Sequence, residues 1–171
     1  MIHEESRQKV DSYVGIGKKE GAAVLVGGAT ASGGALDNGW FYQPTVLAGV
    51  KPGMRVEQEE IFGPVLSAIK VGSLDDAVTV NNDVAYGLSS SLYTRDVNAA
   101  FRAMSDLDNG ITYVNAPTIG AEAHLPFGGV KQTGNGHREG GWEVYDFYSE
   151  TKVCYVDYSG HLQRAQIDTY E

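Results

Sequence analysis

Short apolar runs alternate in this chain with stretches whose apolar residues recur every three or four positions. That alternation restricts the fold to strands interleaved with helices. Val10, Tyr13, Val14 and Ile16 recur with charges between them, which predicts an amphipathic helix over residues 3–19 ending near Gly21. Residues 22–26 then form a short buried strand, and the glycine-rich stretch 27–34 is too poor in side chains to pack, so it is a loop. Residues 40–47 have strand composition interrupted at Pro44, and residues 65–71 read as another buried strand. Ser73 followed by Asp75 and Asp76 resembles a helix N-cap with an acidic first turn, opening a helix that runs to about Asn82. Residues 88–93 are again strand-like. Ala99, Ala100, Ala103, Met104 and Leu107 mark a helical stripe within residues 96–107, Gly110 offers a left-handed helix end, and residues 111–115 form the next strand.

This rhythm predicts an α/β fold, with a parallel sheet flanked by helices and right-handed connections between neighbouring strands. Ligands of such sheets collect beyond the carboxyl ends of the strands, so the loops after Val114 and before Val65 are where a site is expected. The glycines of 27–34 do not make a phosphate cradle. They lack the Lys-Ser or Lys-Thr pair of a P-loop and a Gly-x-Gly-x-x-Gly spacing that opens a helix.

The net charge of -9 argues against nucleic acid or an anionic membrane as a partner, because phosphate binding needs concentrated Lys and Arg. No apolar run approaches the ~20 residues of a membrane span, and the first residues lack the apolar segment of a signal peptide. Cys154, the one cysteine, cannot form an internal disulfide. With no cysteine cluster to suggest a metal, a reducing cytoplasmic setting is expected.

Two glycine-broken motifs carry the chemistry. Glu59-Glu60-Ile61-Phe62-Gly63-Pro64-Val65 is followed by Leu125-Pro126-Phe127-Gly128-Gly129-Val130-Lys131 and then by Gly134-Asn135-Gly136-His137-Arg138-Glu139. In this order and at this distance they resemble the C-terminal part of the catalytic domain of the NAD(P)-dependent aldehyde dehydrogenase superfamily. The resemblance covers nearly all of residues 1–158. It implies a catalytic-domain portion over 1–150 with an incomplete parallel sheet, an oligomerisation strand over 151–158 and a C-terminal tail over 159–171.

The resemblance also implies roles. Glu60 would hold the ribose next to the nicotinamide of NAD or NADP, its carboxylate accepting hydroxyl hydrogen bonds, and Phe62 would limit where the ring lies. Taken by themselves these residues read as a solvent carboxylate and a core aromatic; the complete motif favours the cofactor role. Phe127 would support the pocket around the reacting carbon, and Ala121, Glu122 and His124 fall in the variable loop that shapes substrate choice. Ala121 stands where many relatives carry Phe, which implies a wider or more polar tunnel. Arg138, Glu139 and Glu150 match charges that fix loops in the family and read as structural.

The family reaction is oxidation of an aldehyde or semialdehyde to the carboxylic acid through a cysteine thioester. Its nucleophile precedes the first of these motifs, whereas Cys154 follows both and falls in the expected interface strand, where a thiol behaves as a small hydrophobe. The chain therefore resembles an enzyme without its nucleophile, with no catalytic residue of its own. A portion of a longer parent is the first expectation. A non-catalytic binding or assembly module, and one half of a split enzyme, are the others. The expected partners are an aldehyde and either further copies of the chain or an N-terminal half.

Overall fold

A computed structural model describes residues 1–161, so residues 162–171 of the expected tail lie outside it. Helix α1 (Glu4–Glu20) is capped by the His3 ring, whose Nδ1 accepts the Ser6 N–H at 3.1 Å, and it ends at Gly21 in the left-handed conformation. Its acidic first turn and basic last turn complement the helix dipole. Val10, Val14 and Gly17, spaced i, i+4, i+7, face inward.

Strand β1 (Ala23–Val26) pairs antiparallel with β2 (Thr45–Ala48), and β2 pairs parallel with β3 (Val65–Ala68), in the order β1-β2-β3. Strand β5 (Ser89–Leu92) pairs parallel with β6 (Ile111–Val114), while β4 (Tyr86–Gly87) and β7 (Val130–Lys131) form a short antiparallel pair. The α/β class expected from the alternation is present, and so are its parallel pairings. Each parallel pair has a helix in its connection: α2 (Arg55–Gln58) between β2 and β3, and α4 (Val97–Asp106) between β5 and β6. The loop between β1 and β2 returns without a crossover helix, through a 3-10 turn at Gly34–Asn38 and a bridge between Thr30 and Tyr42, and the strands it joins run antiparallel. Helices α3 (Leu74–Asn82) and α5 (Glu143–Tyr148) complete the elements. The Ser73 cap forms as expected, its hydroxyl accepting the Asp76 N–H at 3.1 Å.

The core lies between α1 and the first sheet. Val10, Val14, Ala22, Tyr42, Leu47, Val50, Val56 and Ile61 are buried there. Tyr42 donates its hydroxyl to Asp11 at 2.9 Å, and burial together with that carboxylate pushes the phenol's pKa upward. Beside this core, α2 is tied to α1 through Glu59. The Arg55 guanidinium grips the Glu59 carboxylate with two bonds of 2.8 Å, and the Tyr13 hydroxyl donates to it at 2.6 Å. Hydrogen bonds from Arg55 and then Tyr13 hold the Glu59 carboxyl down to about 2.

Two expectations need correction. Helix α4 ends at Leu107 in extended conformation, and Gly110 does not take a positive φ. Gly110 is glycine because a Cβ there would run into the Gly128 carbonyl oxygen. Met104, placed in the inward stripe, is exposed; Ala103 alone in that helix is buried, and Val97, Phe101 and Met104 form an outward apolar face. Residues 151–158, expected to pair across subunits, form no β ladder among the described residues, and Tyr155 is 94% exposed. A strand that pairs across subunits has no partner within one chain, so the interface role rests on the resemblance alone.

Apolar faces remain bare elsewhere. Leu25, Val26 and Leu66 are exposed on the first sheet.

Gly110→Ala should lower stability by about 1–3 kcal/mol, because the obstructing atom is backbone and cannot rotate away; a shift of the urea midpoint at unchanged slope measures it. Folding keeps the Glu59 carboxyl below its ordinary value of 4.5, so the ion pair's contribution is whole above that pH and is lost as pH falls toward about 2. Melts of the wild type and Glu59→Gln should accordingly differ at neutral pH and converge in acid; a constant difference would contradict this.

Candidate functional site

The first motif links α2 to β3. Helix α2 stops where Glu59 turns extended, Ile61 drops into the core at 8% exposure, and Pro64 begins the β2–β3 ladder by accepting the Thr45 N–H at 2.8 Å. Between those anchors Phe62 adopts φ 57° with its ring 77% exposed. A left-handed conformation costs a bulky residue about 1–2 kcal/mol, and an exposed aromatic ring recovers little of it by burial. Gly63 makes the turn possible because its Cα faces Val10 of α1, leaving no room for a side chain. The segment thus turns Ile61 inward and Phe62 outward.

The two glutamates separate cleanly. The Glu59 carboxylate is committed to Arg55 and Tyr13, while that of Glu60 is exposed and has no hydrogen-bond partner among the described residues. The backbone of Glu60 is held, its carbonyl accepting the Lys9 ammonium at 3.1 Å. Sequence reasoning placed Glu60 and Phe62 at the site and both are solvent-facing. It missed Lys9, Tyr13 and Arg55. Arg55 could have been found from its i, i+4 spacing to Glu59, but Tyr13 lies 46 residues away and left no local signal.

The second motif is set by backbone pairing. Phe127 and Glu139 exchange both N–H···O bonds, at 2.6 and 2.8 Å, and the Gly141 N–H reaches the Ala123 carbonyl at 3.1 Å. Lys131, at φ 55°, donates from Nζ to the carbonyls of Asn82 at 2.7 Å and Val84 at 3.2 Å and pairs with Asp108. The loop after β6 is equally tied: the Asn115 side chain bonds both backbone groups of Thr94 at 2.9 Å, and Tyr113 donates to the Gly120 carbonyl at 2.7 Å.

Phe127 lines a cavity of about 510 Å³ together with Leu88, Arg138, Val144, Phe147 and Tyr148. The structure does not bring the other three expected pocket residues into it: Ala121, Glu122 and His124 are exposed on the adjoining turn, which closes through the Leu125 N–H to the Glu122 carbonyl at 2.9 Å. Glu60 and Phe62 do not line this cavity either. Cys154 is an exposed free thiol outside it. Among the described residues no cluster of His, Cys, Asp and Glu has the grouping of a metal site, and no helix is long and apolar enough to cross a membrane.

Known proteins share this arrangement. The Aldehyde dehydrogenase family model matches residues 1–154. The chain is 39% identical over 145 residues to an alpha-ketoglutaric semialdehyde dehydrogenase of Bacillus subtilis, covering 85% of this chain and 30% of that protein. It is 40% identical over 159 residues to an alpha-ketoglutarate semialdehyde dehydrogenase of Haloferax volcanii, covering 92% and 33%. Among solved structures, an NAD-dependent aldehyde dehydrogenase of Sinorhizobium meliloti superposes with a TM-score of 0.84 at 36% identity, over 96% of this chain and 32% of that one. A betaine aldehyde dehydrogenase of Staphylococcus aureus in complex with NAD+ gives 0.82 at 36% identity, over 86% and 29%. The chain spans about a third of the length of the relatives it matches. With a family match over most of its residues and the fold of solved members, the chain belongs to the aldehyde dehydrogenase family.

Proposed function

We propose that this chain supplies the nicotinamide-side and part of the substrate-side wall of an aldehyde dehydrogenase site, and that alone it oxidises no aldehyde. The observation that carries this reading is the division of labour between Glu59 and Glu60. One carboxylate is locked by an arginine and a tyrosine, which leaves its neighbour's acceptors free beside an exposed aromatic ring. That is a chemical fit to the ribose diol of NAD or NADP: a carboxylate accepts from two hydroxyls through charge-assisted bonds, and Phe62 offers a face or edge against which a planar ring is confined. The bound dinucleotide would supply the hydride acceptor for aldehyde oxidation.

The chain's own residues hold and shape. Glu60 orients the ribose and Phe62 limits the ring, while Phe127 supports the substrate wall beside the Arg138 cavity. Ala121, Glu122 and His124 stand on an exposed turn, where they contact substrate only when a further surface closes over them. The relatives named for semialdehydes and betaine aldehyde support a small polar or charged aldehyde as the substrate class. Thioester chemistry requires a thiolate at the reacting carbon. The only thiol, Cys154, is on the exposed segment after α5 and does not line the cavity that Phe127 helps form. The lone cysteine agrees with a reducing, cytoplasmic setting.

A covering surface is part of this reading. The bare sheet face, the outward face of α4 and the exposed segment 151–158 favour covering by further polypeptide, either further copies of this chain or an N-terminal portion carrying the nucleophile. The same surface supports an assembly module that binds without catalysis, which differs in needing no thiol from its partner.

NADH formation from NAD+ and an aldehyde panel should not exceed the buffer blank with the purified chain; turnover above it would refute the absence of catalysis. Light scattering should find oligomers or aggregates, whereas a monodisperse monomer with a cooperative melt would favour a self-sufficient binding module.

A further inference from the structure

We propose that Tyr13 and Arg55 are positioning residues that act through Glu59 to fix the Glu60–Phe62 segment in its cofactor-facing pose, with Lys9 as a second point of attachment. This rests on the reading of Glu60 as the ribose ligand. The residues come from one face of α1: Lys9, Tyr13 and Glu20 are spaced i, i+4, i+11 and point toward α2 and the motif behind it. The Glu20 carboxylate accepts the Arg55 N–H at 3.1 and 3.2 Å, satisfying a donor at the start of α2. The Arg55 guanidinium lies 5.6 Å from the Tyr13 ring centre and the Lys9 ammonium 5.7 Å from it, so the ring is flanked by two cations.

The consequence is a segment with one free group. Glu59 is held by its side chain, Glu60 by its carbonyl, Ile61 by burial and Gly63 by its contact with Val10. Only the Glu60 carboxylate and the Phe62 ring remain to meet a ligand. Arg55 also offsets the charge of Glu59, which would otherwise repel the neighbouring carboxylate. Rotational freedom removed before binding need not be lost on binding, and this is how the clamp would raise cofactor affinity without touching the cofactor.

The test uses the full chain, with amide hydrogen exchange and titration with NAD+. Tyr13→Phe keeps the ring and removes one hydroxyl. It should accelerate exchange at residues 60–63 by about tenfold while protection at Val10, Val14 and Leu47 is unchanged. NAD+ affinity should fall about tenfold in Tyr13→Phe, and the same change should have a clearly smaller effect in a Glu60→Gln background, because part of what Tyr13 does is place that carboxylate. Arg55→Lys should behave like Tyr13→Phe, the charge kept but the two-pronged grip lost. Unchanged exchange at 60–63, or an equal Tyr13→Phe effect in both backgrounds, would overturn the proposal. NAD+ binding that is unchanged by Glu60→Gln itself would instead reject the ribose assignment, while the exchange pattern still decides whether the clamp holds the segment.

Discussion

Val10 meets Gly63 so closely that nothing larger than hydrogen fits between them, and this contact sets the spacing on which the first half of the molecule depends. It brings α1 against the turn before β3, at a distance from which Lys9 and Tyr13 reach residues 59 and 60. It also lets Ile61 enter the core on one side while Phe62 is forced outward on the other. The ladder that follows is anchored by the bond from Thr45 to Pro64, so the start of the parallel pairing and the display of Phe62 share one geometric origin. A glycine read in the sequence as part of a cofactor motif is therefore equally a packing residue.

Much of this was legible in advance because local rules and tertiary packing agree. The α1 stripe, the end at Gly21 and the Ser73 cap each obey short-range physics that the structure leaves intact. The readings that failed depended on distant chain. Gly110 looked like a helix end, yet its reason for being glycine is the backbone at Gly128, brought there by the β4–β7 pairing. Met104 fits a helical stripe by spacing, but no surface among the described residues covers it. For the site, Glu60 and Phe62 were reached through the motif, whereas the partner that separates Glu59 from Glu60 is a tyrosine on another helix. Of the four residues assigned to a pocket, Phe127 lines the cavity, while Ala121, Glu122 and His124 stand on a turn that is exposed to solvent.

The two parts of the chain differ in how fully they are packed. Around α1 and the first sheet a continuous set of side chains is buried, while among the described residues of the later elements Ala103 is the one buried apolar side chain. The second part is held largely by polar ties: Lys131 to the end of α3, Asn115 to Thr94, and the Asn82 amide to the Asp106 carbonyl at 2.7 Å. Such bonds fix geometry but contribute little net stability each. The Glu60–Phe62 segment is therefore mounted on the packed part and the cavity beside Phe127 on the part held by polar ties.

The β4–β7 pair has a kinetic meaning as well. It joins Tyr86–Gly87 to Val130–Lys131, closing a stretch of chain that contains β5, α4 and β6. Loop-closure entropy must be met before that pairing returns any energy, whereas α1, β1, β2 and β3 are formed by contiguous chain within the first 68 residues. A chain made from its N-terminus can thus assemble the mount for Glu60 before the residues that frame Phe127 have been synthesised. The order of folding would follow the order of translation, with the cavity beside Phe127 arriving last.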